Sequence, residues 1–152
     1  MIKVGILIGS KTDLPYTEPT LQILTEMGIE HELNILSAHR KPQAVAEYSQ
    51  QAKAKGIEVI IAMAGGAAAL PGTVAAWTEI PVIGVPLPTS EVKGIDALYA
   101  IVQMPPGIPV GCVGIGEWGA RNAAYLAASI VGLQDEKVRD LYEKYRKNLR
   151  EN

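Results

Sequence analysis

The chain has 152 residues, 48% of them hydrophobic, and its 14 basic side chains stand against 16 acidic ones for a formal net charge of -2. That length suits one domain that buries its own core without disulfides or metals, and the composition excludes a disordered chain. The near-neutral balance gives no electrostatic footprint for nucleic acid or an anionic membrane, so any bound anion must be held by a few local groups.

The first apolar run, Val4 to Ile8, ends in Gly9-Ser10. Leu14, Thr17, Leu21 and Leu24 then recur at spacings of three and four, which predicts a helix. A second, weaker run at 33–36 ends in Ser37-Ala38-His39. Pro42 fits the first turn of a helix continued by Val45, Tyr48 and Ala52. The third run, 59–63, ends in Ala64-Gly65-Gly66, and the stretch after it is assigned no helix. The fourth run, 82–85, ends in Pro86, and Ile95, Leu98, Ile101 and Val102 predict the helix that follows. The fifth, 110–115, ends in Gly116 and leads into an alanine-rich helical stretch at 120–131.

Runs without alternation are those of strands buried on both faces of a parallel sheet. Strand and helix therefore alternate about five times, as in an open doubly wound α/β sheet, with residues 1–152 forming a single domain. A last helix carries the apolar stripe Val138, Leu141, Tyr142, Tyr145 and Leu149. It has no further strand to reach, so it packs either on its own sheet or on a neighbouring subunit.

The single cysteine, Cys112, cannot form an internal disulfide, and reads as a small buried residue in a strand. No Cys/His cluster has metal spacing. The apolar start is too short for a signal-peptide core and no run reaches the ~20 residues of a membrane span, so the cytosol is the expected compartment.

Ligands of open parallel sheets bind beyond the carboxyl ends of the strands, so those ends carry the candidate chemistry. Gly5 to Thr12 reads Gly-x-x-x-x-Ser-Lys-Thr, one residue short of a P-loop, but Ile6-Leu7-Ile8 look like strand and leave no loop to wrap phosphates. The preferred reading is a strand, a glycine turn and a helix starting near Asp13. Ser10 and Thr12 can bond a phosphate or a ribose, and Asp13 can cap the helix or accept from ribose hydroxyls; capping alone is the plainer alternative. There are two histidines. His31, in a polar stretch before a strand, reads as a surface residue. His39 lies just past a strand end beside Arg40, where an imidazole can exchange protons near neutral pH and a guanidinium can hold a phosphate. The Gly65-Gly66 stretch offers backbone donors in an apolar pocket, suited to a carboxylate or to carbon dioxide.

Together these segments resemble the PurE family, which comprises N5-carboxyaminoimidazole ribonucleotide mutase and aminoimidazole ribonucleotide carboxylase. The resemblance rests on Gly9 to Asp13, Ser37 to Arg40 with Pro42, Ala64 to Ala68 with Leu70-Pro71-Gly72, Gly84-Val85-Pro86, Ile101 to Pro105 with Gly107 to Val110, and Asn122 to Ala128. It implies a flavodoxin-like, three-layer α/β/α fold, a homo-octamer with sites at subunit contacts, a small ribonucleotide substrate, and no metal or organic cofactor. It implies a shift of a carboxylate from an exocyclic nitrogen to ring carbon C4 in purine synthesis. His39 would be the proton-transfer residue. Ser10, Thr12, Asp13 and Arg40 would hold phosphate and ribose, Ser37 would support the histidine region, and Gly65, Gly66 and Ala67 would hold the migrating carboxyl group.

Two departures stand out. Family mutases usually carry a histidine where this chain has Ala69, and Trp118 and Arg121 replace smaller residues. The animal-type carboxylase carries a lysine where Arg40 stands, which places the chain nearer the mutases. Direct carboxylation of aminoimidazole ribonucleotide and a non-catalytic nucleotide-binding role are the alternatives.

Overall fold

The computed structural model describes residues 1–152. Five strands form a parallel sheet in the order β2-β1-β3-β4-β5. They are β1 (Val4–Ile8), β2 (His31–Ile35), β3 (Val59–Gly65), β4 (Val82–Leu87) and β5 (Gly111–Cys112). The helices are α1 (Leu14–Glu26), α2 (Pro42–Ala52), α3 (Leu70–Ala76), α4 (Ile95–Val102), α5 (Gly116–Val131) and α6 (Glu136–Glu151). This is the open doubly wound sheet expected from the alternating pattern, in the flavodoxin-like form that the family resemblance implies.

The sheet separates two apolar layers. On one face Val4, Ile6 and Ile8 of β1 pack with Ile23 and Leu24 of α1, a row of alanines on α5, and Val138 of α6. On the other, Leu7 joins Val45 and Tyr48 of α2, Leu70 and Val74 of α3, and Ala97 and Ile101 of α4. All five β1 residues are buried, because a central strand covered by helices on both sides has no solvent face. Buried polar side chains find partners within the chain: the Thr20 hydroxyl donates to the Ala120 carbonyl at 2.7 Å, tying α1 to α5.

Several expectations need correction. The fifth strand spans two residues rather than six, since only Gly111 and Cys112 keep register with Ile83 and Gly84 of β4. Cys112 is in that strand but only partly buried, because β5 is an edge. β2 begins at His31, so this histidine is in the strand itself; it is partly buried, and its Nδ1 lies 2.8 Å from the Ile29 carbonyl oxygen. The helix α3 is not among the expected elements; Pro71 stands in its first turn, where proline is favoured. Gly72 sits where a Cβ would come within 2.9 Å of Met104 Sδ, so it serves close packing rather than a turn. α6 lies on its own chain: Tyr125 of α5 stacks on Tyr145 with ring centroids 4.5 Å apart. Leu141 and Leu149 of the same helix remain exposed.

Candidate active site

After β1 the chain goes outward to β2 and then returns past β1 to β3. This reversal opens a crevice at the carboxyl ends of β1 and β3, where such sheets bind ligands. A cavity of about 400 Å³ lies there. Its walls come from the segments following β1, β2, β3 and β4, and include Gly9, Ser10, Thr12, Asp13, Ser37, His39, Arg40, Gly65, Gly66, Ala69 and Thr89. Eight of the nine candidate site residues line it; Ala67 does not, and its side chain is exposed. The segment after β5, with Trp118, contributes nothing to this cavity.

Each wall has a local cause. Ile6-Leu7-Ile8 are strand, so no phosphate-wrapping loop forms, as expected. The chain turns at Ser10 into a single 3-10 turn, Lys11–Asp13. Ser10 Oγ accepts from the Thr12 backbone N–H at 3.3 Å and lies 3.0 Å from Thr12 Oγ1, which brings both hydroxyls to one spot. Asp13 stands at the start of α1 but makes no side-chain capping bond, so the capping alternative fails for it. Its carboxylate is buried, and burial holds its pKa above the usual carboxylate value, partly offset by the backbone N–H groups of Ser10 and Gly9.

The second wall is the turn between β2 and α2. Ser37 orders it twice: its Oγ accepts from the Arg40 backbone N–H at 3.2 Å and its carbonyl from Lys41 N–H at 2.8 Å. His39 and Arg40 are thereby held at the cavity rim with exposed side chains. Arg40 belongs to none of the chain's ion pairs, so its guanidinium is free for an anion.

The third wall is nearly bare backbone. Gly66 (φ 60°) and Ala68 (φ 40°) both adopt left-handed conformations. For an alanine this costs about 1–2 kcal/mol, a strain typical of functional segments. Ala69, which precedes α3, lines the cavity with a methyl group only. Thr89, past the end of β4, completes the enclosure. Thr89 was visible as part of a strand end, but nothing in its spacing marks it as facing Gly65.

A larger cavity of about 930 Å³ lies beside the start of β4 and includes Ala75, Trp77, Ile80 and Pro109. Its only charged side chains, Lys53 and Glu79, are a solvent-exposed pair 3.7 Å apart. It holds no imidazole and no buried carboxylate, so size alone does not single out the candidate site. The smaller cavity joins an imidazole, a free guanidinium, a buried carboxylate and several hydroxyls.

The family model described as AIR carboxylase matches residues 3–152. The chain belongs to this family. It is 51% identical over 146 residues to an N5-carboxyaminoimidazole ribonucleotide mutase of Aliivibrio fischeri, covering 96% of this chain and 91% of that protein. It is 48% identical over 150 residues to the protein of the same name from Pyrococcus abyssi, covering 99% of this chain and 85% of that one. The crystal structure of Treponema denticola PurE superposes with a TM-score of 0.89 at 30% identity, covering 99% of this chain and 93% of that one. Identity near one half over almost the whole length agrees with the shared fold. No helix is long and apolar enough to cross a membrane.

Proposed function

We propose that this protein is an N5-carboxyaminoimidazole ribonucleotide mutase, moving the carboxylate from the exocyclic nitrogen to ring carbon C4. The observation that carries the reading is the cavity at the β1/β3 crevice, which has His39 and Arg40 on one wall and the Gly65-Gly66 backbone on another. The mutase names of the relatives supply the substrate.

In this reading Arg40, Ser10 and Thr12 hold the phosphate end, and Asp13 accepts from the ribose hydroxyls. Ser37 holds the turn that presents His39. His39 gives a proton to the exocyclic nitrogen as the N–C bond breaks and carbon dioxide leaves. The bare wall at Gly65 and Gly66 keeps the gas beside the ring, C4 attacks it, and His39 takes back the C4 proton. Proton and carboxyl group are both conserved, so the cycle needs no outside reactant. Ala67, pointing to solvent, takes no part through its side chain. The enzyme works in the cytosol as a homo-oligomer, an octamer by family resemblance, without a cofactor.

One observation favours a second reading, direct carboxylation of aminoimidazole ribonucleotide by carbon dioxide: Ala69 leaves only a methyl group on the cavity wall where family mutases usually carry an imidazole. Purified protein given each nucleotide separately distinguishes the two. The mutase converts the N5-carboxylated nucleotide without bicarbonate. Turnover of the uncarboxylated nucleotide alone, rising with bicarbonate, assigns the second reading.

A further inference from the structure

Thr89 follows β4 and carries the one polar side chain of the cavity for which the reaction above has no use. Its neighbour Ser90 is fully engaged: its hydroxyl donates to Asp96 Oδ2 at 2.6 Å and accepts from the Val92 N–H at 3.2 Å. The Thr89 hydroxyl has no such partner within the chain. It lies against Gly65, where a Cβ would meet Thr89 Oγ1 at 1.9 Å and the Leu87 carbonyl at 3.2 Å. The hydroxyl thus fills the place that any side chain at 65 would take. Gly65 lies outside the left-handed region, so it is not a glycine for the sake of its backbone conformation. What requires a glycine is this approach. The sheet also places the two residues together, since Gly65 pairs with Leu87 two residues before Thr89.

We infer that Thr89 is a further substrate contact: its hydroxyl donates a hydrogen bond to the carboxyl group of the nucleotide beside Gly65. This rests on the mutase reading and deepens it. The chemistry fits the position. An unpartnered hydroxyl is a donor that can turn toward an anionic oxygen, and the wall it joins otherwise offers backbone alone. A hydroxyl that follows the carboxyl group, rather than the phosphate, contributes to discrimination between carboxylated and uncarboxylated nucleotides.

The test is equilibrium binding of two ligands, the C4-carboxylated product and aminoimidazole ribonucleotide, to wild type, Thr89→Val and Thr89→Ser. Loss of a hydrogen bond to a charged group predicts that Thr89→Val binds the carboxylated nucleotide about 10- to 100-fold more weakly. The uncarboxylated nucleotide, lacking that partner, stays within about 2-fold, and Thr89→Ser restores carboxylate binding to within about 3-fold. Thr89→Ala, which cannot crowd Gly65, replaces the valine variant should that one fail to fold. Equal weakening of both ligands, or of neither, overturns the inference while leaving the mutase reading intact. A wild-type protein that binds neither nucleotide overturns both.

Discussion

His39 and Asp13 occupy the same cavity under opposite conditions. The imidazole sits exposed at the rim on a turn fastened by Ser37. If it moves the proton in both half-reactions, His39→Asn lowers kcat by about 100- to 10,000-fold, the usual contribution of a positioned acid–base group. The melting temperature stays close to wild type because the exposed ring packs against little. Near-normal turnover would remove His39 from the chemistry.

Asp13 is buried, and burial raises its pKa above the ordinary carboxylate range. A folded-state pKa above the unfolded one means that the acid favours folding most when protonated, below about pH 4, and that this is lost as pH rises through the folded value. At pH 7 the carboxylate therefore works against stability. Asp13→Asn is expected to melt higher than wild type at pH 7, the gap closing toward pH 3, while ribonucleotide affinity falls. Thermal melts across that range check the sign, and a variant less stable at pH 7 would contradict it.

The elements were legible where their physics is local. A five-residue apolar run with no alternation identified β1, because only a strand covered on both faces tolerates it. β5 was overextended because Val113 and Ile115 continue the apolar pattern after pairing has ended at Cys112. A composition pattern does not record where a partner strand stops. α3 escapes the pattern because its seven residues are too few for a helical period to show.

The site divides the same way. Ser10, His39, Arg40 and Gly65 were readable because strand ends in this topology converge. Thr89 was not, since its role rests on a contact across the sheet with no sequence signal. Tertiary contact also explains Gly119 in α5. A Cβ there would lie 1.6 Å from the Gly114 carbonyl oxygen, a backbone atom unable to swing aside. Gly119→Ala, normally a gain inside a helix, is therefore expected to cost about 1–3 kcal/mol, readable as a lower urea midpoint with unchanged slope. Unchanged stability would show that the β5–α5 connection is looser than its geometry implies.

At the scale of the whole molecule, the candidate cavity and the larger one beside the start of β4 lie apart, and their side-chain chemistry separates them better than size. The site draws its walls from four strand ends, so it exists only when β1 to β4 are assembled. α6 closes one helical layer through the stacked Tyr125 and Tyr145 while leaving Leu141 and Leu149 outward, consistent with the proposed assembly of several copies.

The most direct test of the central claim follows the carboxyl carbon itself. N5-carboxyaminoimidazole ribonucleotide labelled isotopically in its carboxylate is incubated with the protein in unlabelled bicarbonate, and the C4-carboxylated product is isolated early in the reaction. A cavity that keeps carbon dioxide between release and recapture predicts that the product retains most of the label. Product carrying the unlabelled carbon of the medium, or no product above the uncatalysed rate, would contradict it.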